Sequence, residues 1–119
     1  MSLCILTPDP AYDHPWAPIA DTDRALLGTA CHFRPMADPG DLSGFALILP
    51  LLAWGYQRDT PAFFALLDRL EAATLPVLNP VPLIRWNCDK AYLADLAAFG
   101  VPVVPTIHVE RLDEAALAA

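Results

Sequence analysis

The sequence predicts an α/β domain in which a parallel sheet of four to five strands is sandwiched by helices in three layers. Three observations point there. The short apolar runs are continuous rather than alternating, as in strands buried on both faces. Segments with three- and four-residue apolar spacing separate those runs. Pro, Gly, Asn or Asp stands at most of the boundaries, where the chain must change direction.

Taken in order, Leu3–Thr7 is the first buried strand, closed by Pro8-Asp9-Pro10. Residues 11–19 are proline-bearing and irregular. Asp21 or Thr22 then caps a short helix through Arg24, Ala25, Leu26 and Leu27, which Gly28 ends. Residues 29–34 form a second strand stopped by Pro35, and residues 45–49, Phe-Ala-Leu-Ile-Leu, form the clearest buried strand, expected in mid-sheet. The chain leaves the sheet over residues 50–59, which hold Trp54-Gly55-Tyr56. Thr60-Pro61 supplies an N-cap and a first-turn proline. From there Phe63, Leu66, Leu67, Leu70 and Ala73 recur on one side while Asp68, Arg69 and Glu71 face away, giving an amphipathic helix of about 13 residues. Val77-Leu78 is a fourth strand ending at Asn79-Pro80, and Pro80, Val81 and Pro82 keep the chain extended. Asn87 caps a second long helix with Leu93, Leu96 and Ala97 on its inner stripe and Gly100 as its stop. After Pro102, residues 103–106 make a fifth strand. From Arg111 to Ala119 the sequence reads as the start of another helix that runs out.

Composition narrows the function. The chain has 119 residues and 14 acidic against 7 basic side chains, a formal charge of −7. No Lys/Arg cluster is present, so the electrostatic attraction that dominates nucleic-acid binding is missing, as is attraction to an anionic membrane. Hydrophobic residues reach 55% and charged ones only 18%, against roughly 45–50% and 25% in average domains. A chain this apolar folds, and its surplus points to a surface that packs on a second subunit or on the rest of a longer polypeptide. Cys4, Cys31 and Cys88 are an odd, widely spaced set that fits neither a disulfide framework nor a thiolate metal site, which favours a reducing, cytoplasmic setting. The longest apolar stretch, residues 45–54, is interrupted by Pro50 and is half a membrane span. The N-terminus has no basic region and reads as the direct start of the fold rather than a signal peptide.

In an open parallel sheet, ligands bind in the crevice at the carboxyl ends of the strands. Asp9, Trp54, Tyr56 and Asn79 follow strands and carry the weight of that rule. No Gly-rich phosphate loop follows the first strand, which excludes an autonomous dinucleotide-binding or P-loop domain. A receiver domain would need an Asp at the end of the third strand, where Leu49-Pro50-Leu51 stands instead. Lys90 is singled out because it falls in the first turn of the helix capped by Asn87, where a cation costs about 0.3–1 kcal/mol against the macrodipole unless an anion arrives to share the site. A solvated Lys90 paired with Asp89 or Asp95 is the plain alternative. Cys31-His32 would point to opposite faces of a strand, leaving a buried thiol beside an edge histidine. His14 reads as a surface residue, and Trp86, Trp54 and Tyr56 either stack on a ligand ring or plug the sheet's end. Asp21 and Asp23 read as caps, and Glu110, Asp113 and Glu114 as a solvated helix start.

Three stretches carry a resemblance: Val77-Leu78-Asn79-Pro80, then Trp86-Asn87-Cys88-Asp89-Lys90-Ala91-Tyr92-Leu93, then Gly100-Val101-Pro102-Val103-Val104-Pro105-Thr106. Together, in order and at ordinary spacing, they resemble the N-terminal (pre-ATP-grasp) part of ATP-grasp ligases, the bacterial branch similar to glutathione synthetase and to the D-cycloserine-forming ligase. Trp54-Gly55-Tyr56 resembles that branch's Trp-Asp-Tyr segment, with Gly55 where the relatives carry Asp, and Leu49-Pro50-Leu51 replaces a more polar strand end. The resemblance implies a Rossmann-like pre-ATP-grasp domain over residues 1–106, with residues 107–119 opening the ATP-grasp region. It implies that Lys90 binds ATP phosphate, that Trp54, Tyr56 and Asn79 line the substrate side, and that an acyl phosphate forms from a small-molecule carboxylate and is attacked by an amine. ATP and Mg²⁺ would serve the full-length enzyme. The magnesium-binding acidic residues, the second lysine and the adenine hinge of the family lie after Thr106, so no catalytic or metal-ligating residue, and no bound cofactor, is expected in these 119 residues. As a fragment lacking the C-terminal lobes, the chain would be inactive alone. The contrasting reading is a stand-alone, non-enzymatic α/β module that forms a homodimer through its apolar surface.

Overall fold

A computed structural model describes residues 2–28 and 30–109. These fall into two compact units, Met1–Pro82 and Leu83–Ala119. The first unit holds the sheet. β1 (Leu3–Thr7) lies at its centre, paired in parallel with β2 (Cys31–Pro35) on one side and β3 (Leu47–Leu49) on the other. α1 (Ala17–Leu27) connects the first two strands, and α2 (Thr60–Ala72) follows β3 after a 3₁₀ turn at Tyr56–Arg58.

β1 and β3 are buried on both faces, as their unbroken apolar runs require, whereas the edge strand β2 leaves His32 and Arg34 exposed. On one face Ile5, Cys31 and Leu49 pack with Ala20 of α1 and with Leu52, and Trp16, Phe33 and Trp54 close the edge of that cluster. On the opposite face Cys4, Leu6 and Ile48 are wholly inaccessible. α2 buries the stripe Phe63, Leu66, Leu67 and Leu70, the periodicity read from its sequence.

The sheet has three strands rather than four to five. Val77 reaches it through a single parallel bridge to Ile48, with the Ile48 N–H donating to Pro76 O (2.7 Å) and the Leu78 N–H to Ile48 O (2.8 Å). Pairing stops there because Pro76 and Pro80 have no N–H to donate and Asn79 turns the chain with φ +63°. Residues 103–106 form no strand. Pro102 and Pro105 remove two of the donors a ladder would need. The strand expected in mid-sheet is β3, yet β1 is the central one.

Helix ends differ in instructive ways. α1 starts at Ala17, four residues before Asp21, because Pro18 fits a first turn whose N–H groups are unpaired in any case; Asp21 instead pairs with Arg24 at 2.8 Å. Gly28 ends it with φ +75°. α2 is capped by Asp59, whose Oδ1 accepts from the Ala62 N–H at 3.1 Å, rather than by Thr60. Residues 81–82, expected to be extended, open a helix, α3 (Val81–Cys88), again with proline in the first turn. In the second unit α4 (Tyr92–Ala98) is a separate helix that ends as expected at Gly100, where the Val101 N–H reaches Leu96 O (3.0 Å) and the Gly100 N–H reaches Ala97 O (2.9 Å), a Schellman closure. Among the described residues no helix is long and apolar enough to cross a membrane. The helix expected from Arg111 lies outside the described residues.

Candidate functional site

The loops that leave the carboxyl ends of all three strands enclose a cleft of about 300 Å³. Asp9, Ala11 and Tyr12 enter it from beyond β1, Met36 and Ala37 from beyond β2, and Trp54, Gly55, Tyr56, Arg58 and Asp59 from beyond β3, with Ala62 and Phe63 at the start of α2. This is where an open parallel sheet binds its ligands.

Local bonding fixes each wall. Asp9 Oδ1 accepts from the Ala11 N–H (2.8 Å) and Asp9 O from the Tyr12 N–H (2.9 Å), so the chain turns at once after β1. The Met36 N–H donates to Thr7 O (2.9 Å), tying the exit of β2 to that of β1. Gly55 takes φ +87°, which only glycine adopts freely, and opens the 3₁₀ turn. Tyr56 stacks on Phe63 with centroids 5.1 Å apart and planes at 30°.

One side of the cleft is an electrostatic chain. Arg58 Nη2 donates to Asp13 Oδ1 at 2.6 Å, and the guanidinium carbon stands 4.7 Å from the centroid of Tyr12. That hydrogen bond, reinforced by the Arg58 charge, holds the Asp13 carboxyl below its ordinary pKa. His14 meets the same Tyr12 ring edge-on at 5.4 Å. Among the described residues, Arg58 is the one basic residue in the cleft lining.

Of the expected site residues, the fold brings Trp54 and Tyr56 together in this cleft. Asn79 is exposed, in a left-handed conformation, and does not line it. Tyr12 and Arg58 were not singled out in the sequence, although both follow strands as the crevice rule demands. Cys31 is buried and His32 exposed, on opposite sides of β2 as the pleat dictates.

Lys90 lies in the second unit, and its setting corrects the helix argument. Asn87 sits inside α3 rather than capping a helix, and Lys90 falls in the turn between α3 and α4. It follows the C-terminus of α3 and directly precedes the first turn of α4, whose Leu93 N–H donates to Lys90 O (3.1 Å), so the two helix ends act on its charge in opposite senses. The side chain is exposed, its Nζ is 5.2 Å from the centroid of Tyr92, and Tyr92 packs on Trp86 at 5.0 Å. Both neighbouring acids are engaged elsewhere: Asp89 Oδ1 accepts from the Ala91 N–H (2.9 Å) and Asp95 Oδ2 from Trp86 Nε1 (3.0 Å). Cys88 beside it has its thiol pKa raised by burial, against the lowering pull of Lys90. Among the described residues no cluster of His, Cys, Asp and Glu is arranged to hold a metal ion.

In class, the chain is similar to the N-terminal part of an ATP-grasp ligase. It is similar to the cycloserine biosynthesis protein DcsG of Streptomyces lavendulae, 42% identical over 69 residues, which are 58% of this chain and 23% of that protein. The crystal structure of D-cycloserine synthetase DcsG matches with a TM-score of 0.68 at 30% identity, over 88% of this chain and 36% of that one. The chain thus spans a quarter to a third of the length of the relatives it matches. No family model matches the sequence.

Proposed function

We propose that this chain is the substrate-side N-terminal domain of an ATP-dependent, ADP-forming carboxylate–amine ligase. The similarity to D-cycloserine synthetase in both sequence and fold carries the reading. The cleft at the strand ends supports a substrate site with Trp54 and Tyr56 on its walls, and burial of both faces of β1 and β3 supports a three-layer, Rossmann-like domain. Lys90 suits a phosphate ligand because its ammonium has a ring beneath it and makes no ion pair among the described residues. Its role would be to neutralise nucleotide phosphate charge while a carboxylate oxygen takes up the transferred phosphoryl group. The amine then displaces phosphate from the acyl carbon. Mg²⁺, when bound in the complete enzyme, would screen the same phosphates through acidic residues of the lobes that follow this domain.

The test is ATP turnover by the complete ligase offered a panel of small carboxylic acids with hydroxylamine as the amine. ADP release coupled to hydroxamate formation with at least one acid is expected. ADP without hydroxamate, or no ADP at all, rejects the reading. A second reading rests on the exposed apolar residues Phe99, Val104 and Ile107, at 85%, 69% and 69% accessibility: a non-enzymatic module dimerising through them. It gains only if turnover fails and the chain sediments as a dimer.

A further inference from the structure

We propose that Arg58 recognises a free carboxylate on the ligand of the strand-end cleft, and that Asp13, Tyr12 and Gly55 are its positioning residues. The inference rests on the cleft being the substrate side of a ligase, and it names the group that the cleft grips.

A guanidinium on a flexible stem binds poorly unless it is held, and here it is held from two directions: by Asp13 Oδ1 at 2.6 Å and by the Tyr12 face at 4.7 Å. Tyr12 in turn has a fixed seat, because a Cβ at Gly55 would stand 2.8 Å from its Cδ2 and Cε2, so only glycine lets the ring lie there. Asp13 takes one of the five N–H donors of the fork. Asp13 is the acid that pairs with Arg58 among the described residues, while Asp9 and Asp59 accept at Oδ1 from the Ala11 and Ala62 backbone N–H groups. A planar fork with donors in hand matches a carboxylate in two parallel hydrogen bonds.

The remaining lining selects what carries that carboxylate. Met36, Trp54, Tyr56 and Phe63 offer apolar and aromatic surface. Two acidic residues beside a single base penalise a dianion such as phosphate more than a monoanion. The ligand class is a small monocarboxylate with an apolar or stackable body.

The experiment titrates this chain with 3-phenylpropionate and, separately, with 3-phenylpropionamide at fixed ionic strength, following the Arg58 side-chain N–H and Trp54 indole resonances. No nucleotide is present, so failure here and failure of ATP turnover are separate results. The acid should bind at least tenfold tighter than the amide. Arg58→Gln should bring the two to equal affinity, and Arg58→Lys, which keeps the charge but loses the fork, should fall between. Asp13→Ala should shrink the ratio with less effect than Arg58→Gln. Equal affinities in the wild-type chain, binding of neither probe, an undiminished ratio in Arg58→Gln, or displacement of the acid by equimolar inorganic phosphate would each overturn the assignment.

Discussion

The Tyr12 ring occupies the space that a side chain at Gly55 would need: a Cβ there would lie 2.8 Å from two ring carbons, at a backbone φ of +87°. Both the conformation and the contact exclude other residues. Gly55→Ala is expected to destabilise the domain by about 1–3 kcal/mol, read as a lower midpoint in denaturant. In a Tyr12→Ala background the same change should cost less, because only the backbone strain remains. Equal costs in the two backgrounds would remove the ring contact from the account.

Thr74 offers the opposite opportunity. It ends α2 at φ +52°, with its N–H donating to Glu71 O (2.9 Å) and the Leu75 N–H to Leu70 O (3.0 Å), a Schellman closure with a β-branched residue at the left-handed position. Glycine relieves that conformation at a cost of unfolded-chain entropy. Thr74→Gly should raise stability by roughly 0.5–1 kcal/mol, seen as an increased Tm. A decrease would mean that the threonine side chain holds the turn.

Burial makes the sheet sensitive to alkali. Desolvation of the wholly inaccessible Cys4 pushes its thiol from an ordinary 9.0 up to about 11, and Cys31 is shifted the same way. The folded state therefore holds these protons more tightly than the unfolded chain. That contribution is complete below the unfolded pKa and is lost as pH rises towards the folded one. Stability should fall between pH 9 and about 11, and Cys4→Ala should make the fall shallower. An identical pH profile in Cys4→Ala would contradict this.

How far the sequence speaks depends on what sets each feature. α2 is legible to within a residue because a 3.6-residue apolar period has one interpretation over so long a run. Strands β1 and β3 and the stops at Gly28 and Gly100 are legible because continuous apolar runs and left-handed glycines are local signals. Pro18 and Pro82 mislead: each reads as a barrier to helix, yet each sits in a first turn where its missing N–H costs nothing. Strands at 77–78 and 103–106 fail because an apolar dipeptide cannot report whether its flanking prolines leave enough donors to pair. In the cleft, Trp54 and Tyr56 are found by the crevice rule. Arg58 is not, because its partner Asp13 is 45 residues away and the ring between them is placed by a glycine. The resemblance singles out Lys90 by its motif, while the Asn87 cap on which the helix-dipole reason rests is not formed, because Asn87 lies inside α3.

Whether Lys90 holds nucleotide phosphate is read from the ATP kinetics of the Lys90→Ala variant of the complete ligase. With folding intact, the apparent KM for ATP should rise at least tenfold, the loss of one charge-assisted phosphate contact worth about 1.5–3 kcal/mol. ATP kinetics indistinguishable from those of the unaltered enzyme would contradict Lys90 as a phosphate ligand and, with it, the part assigned to this domain.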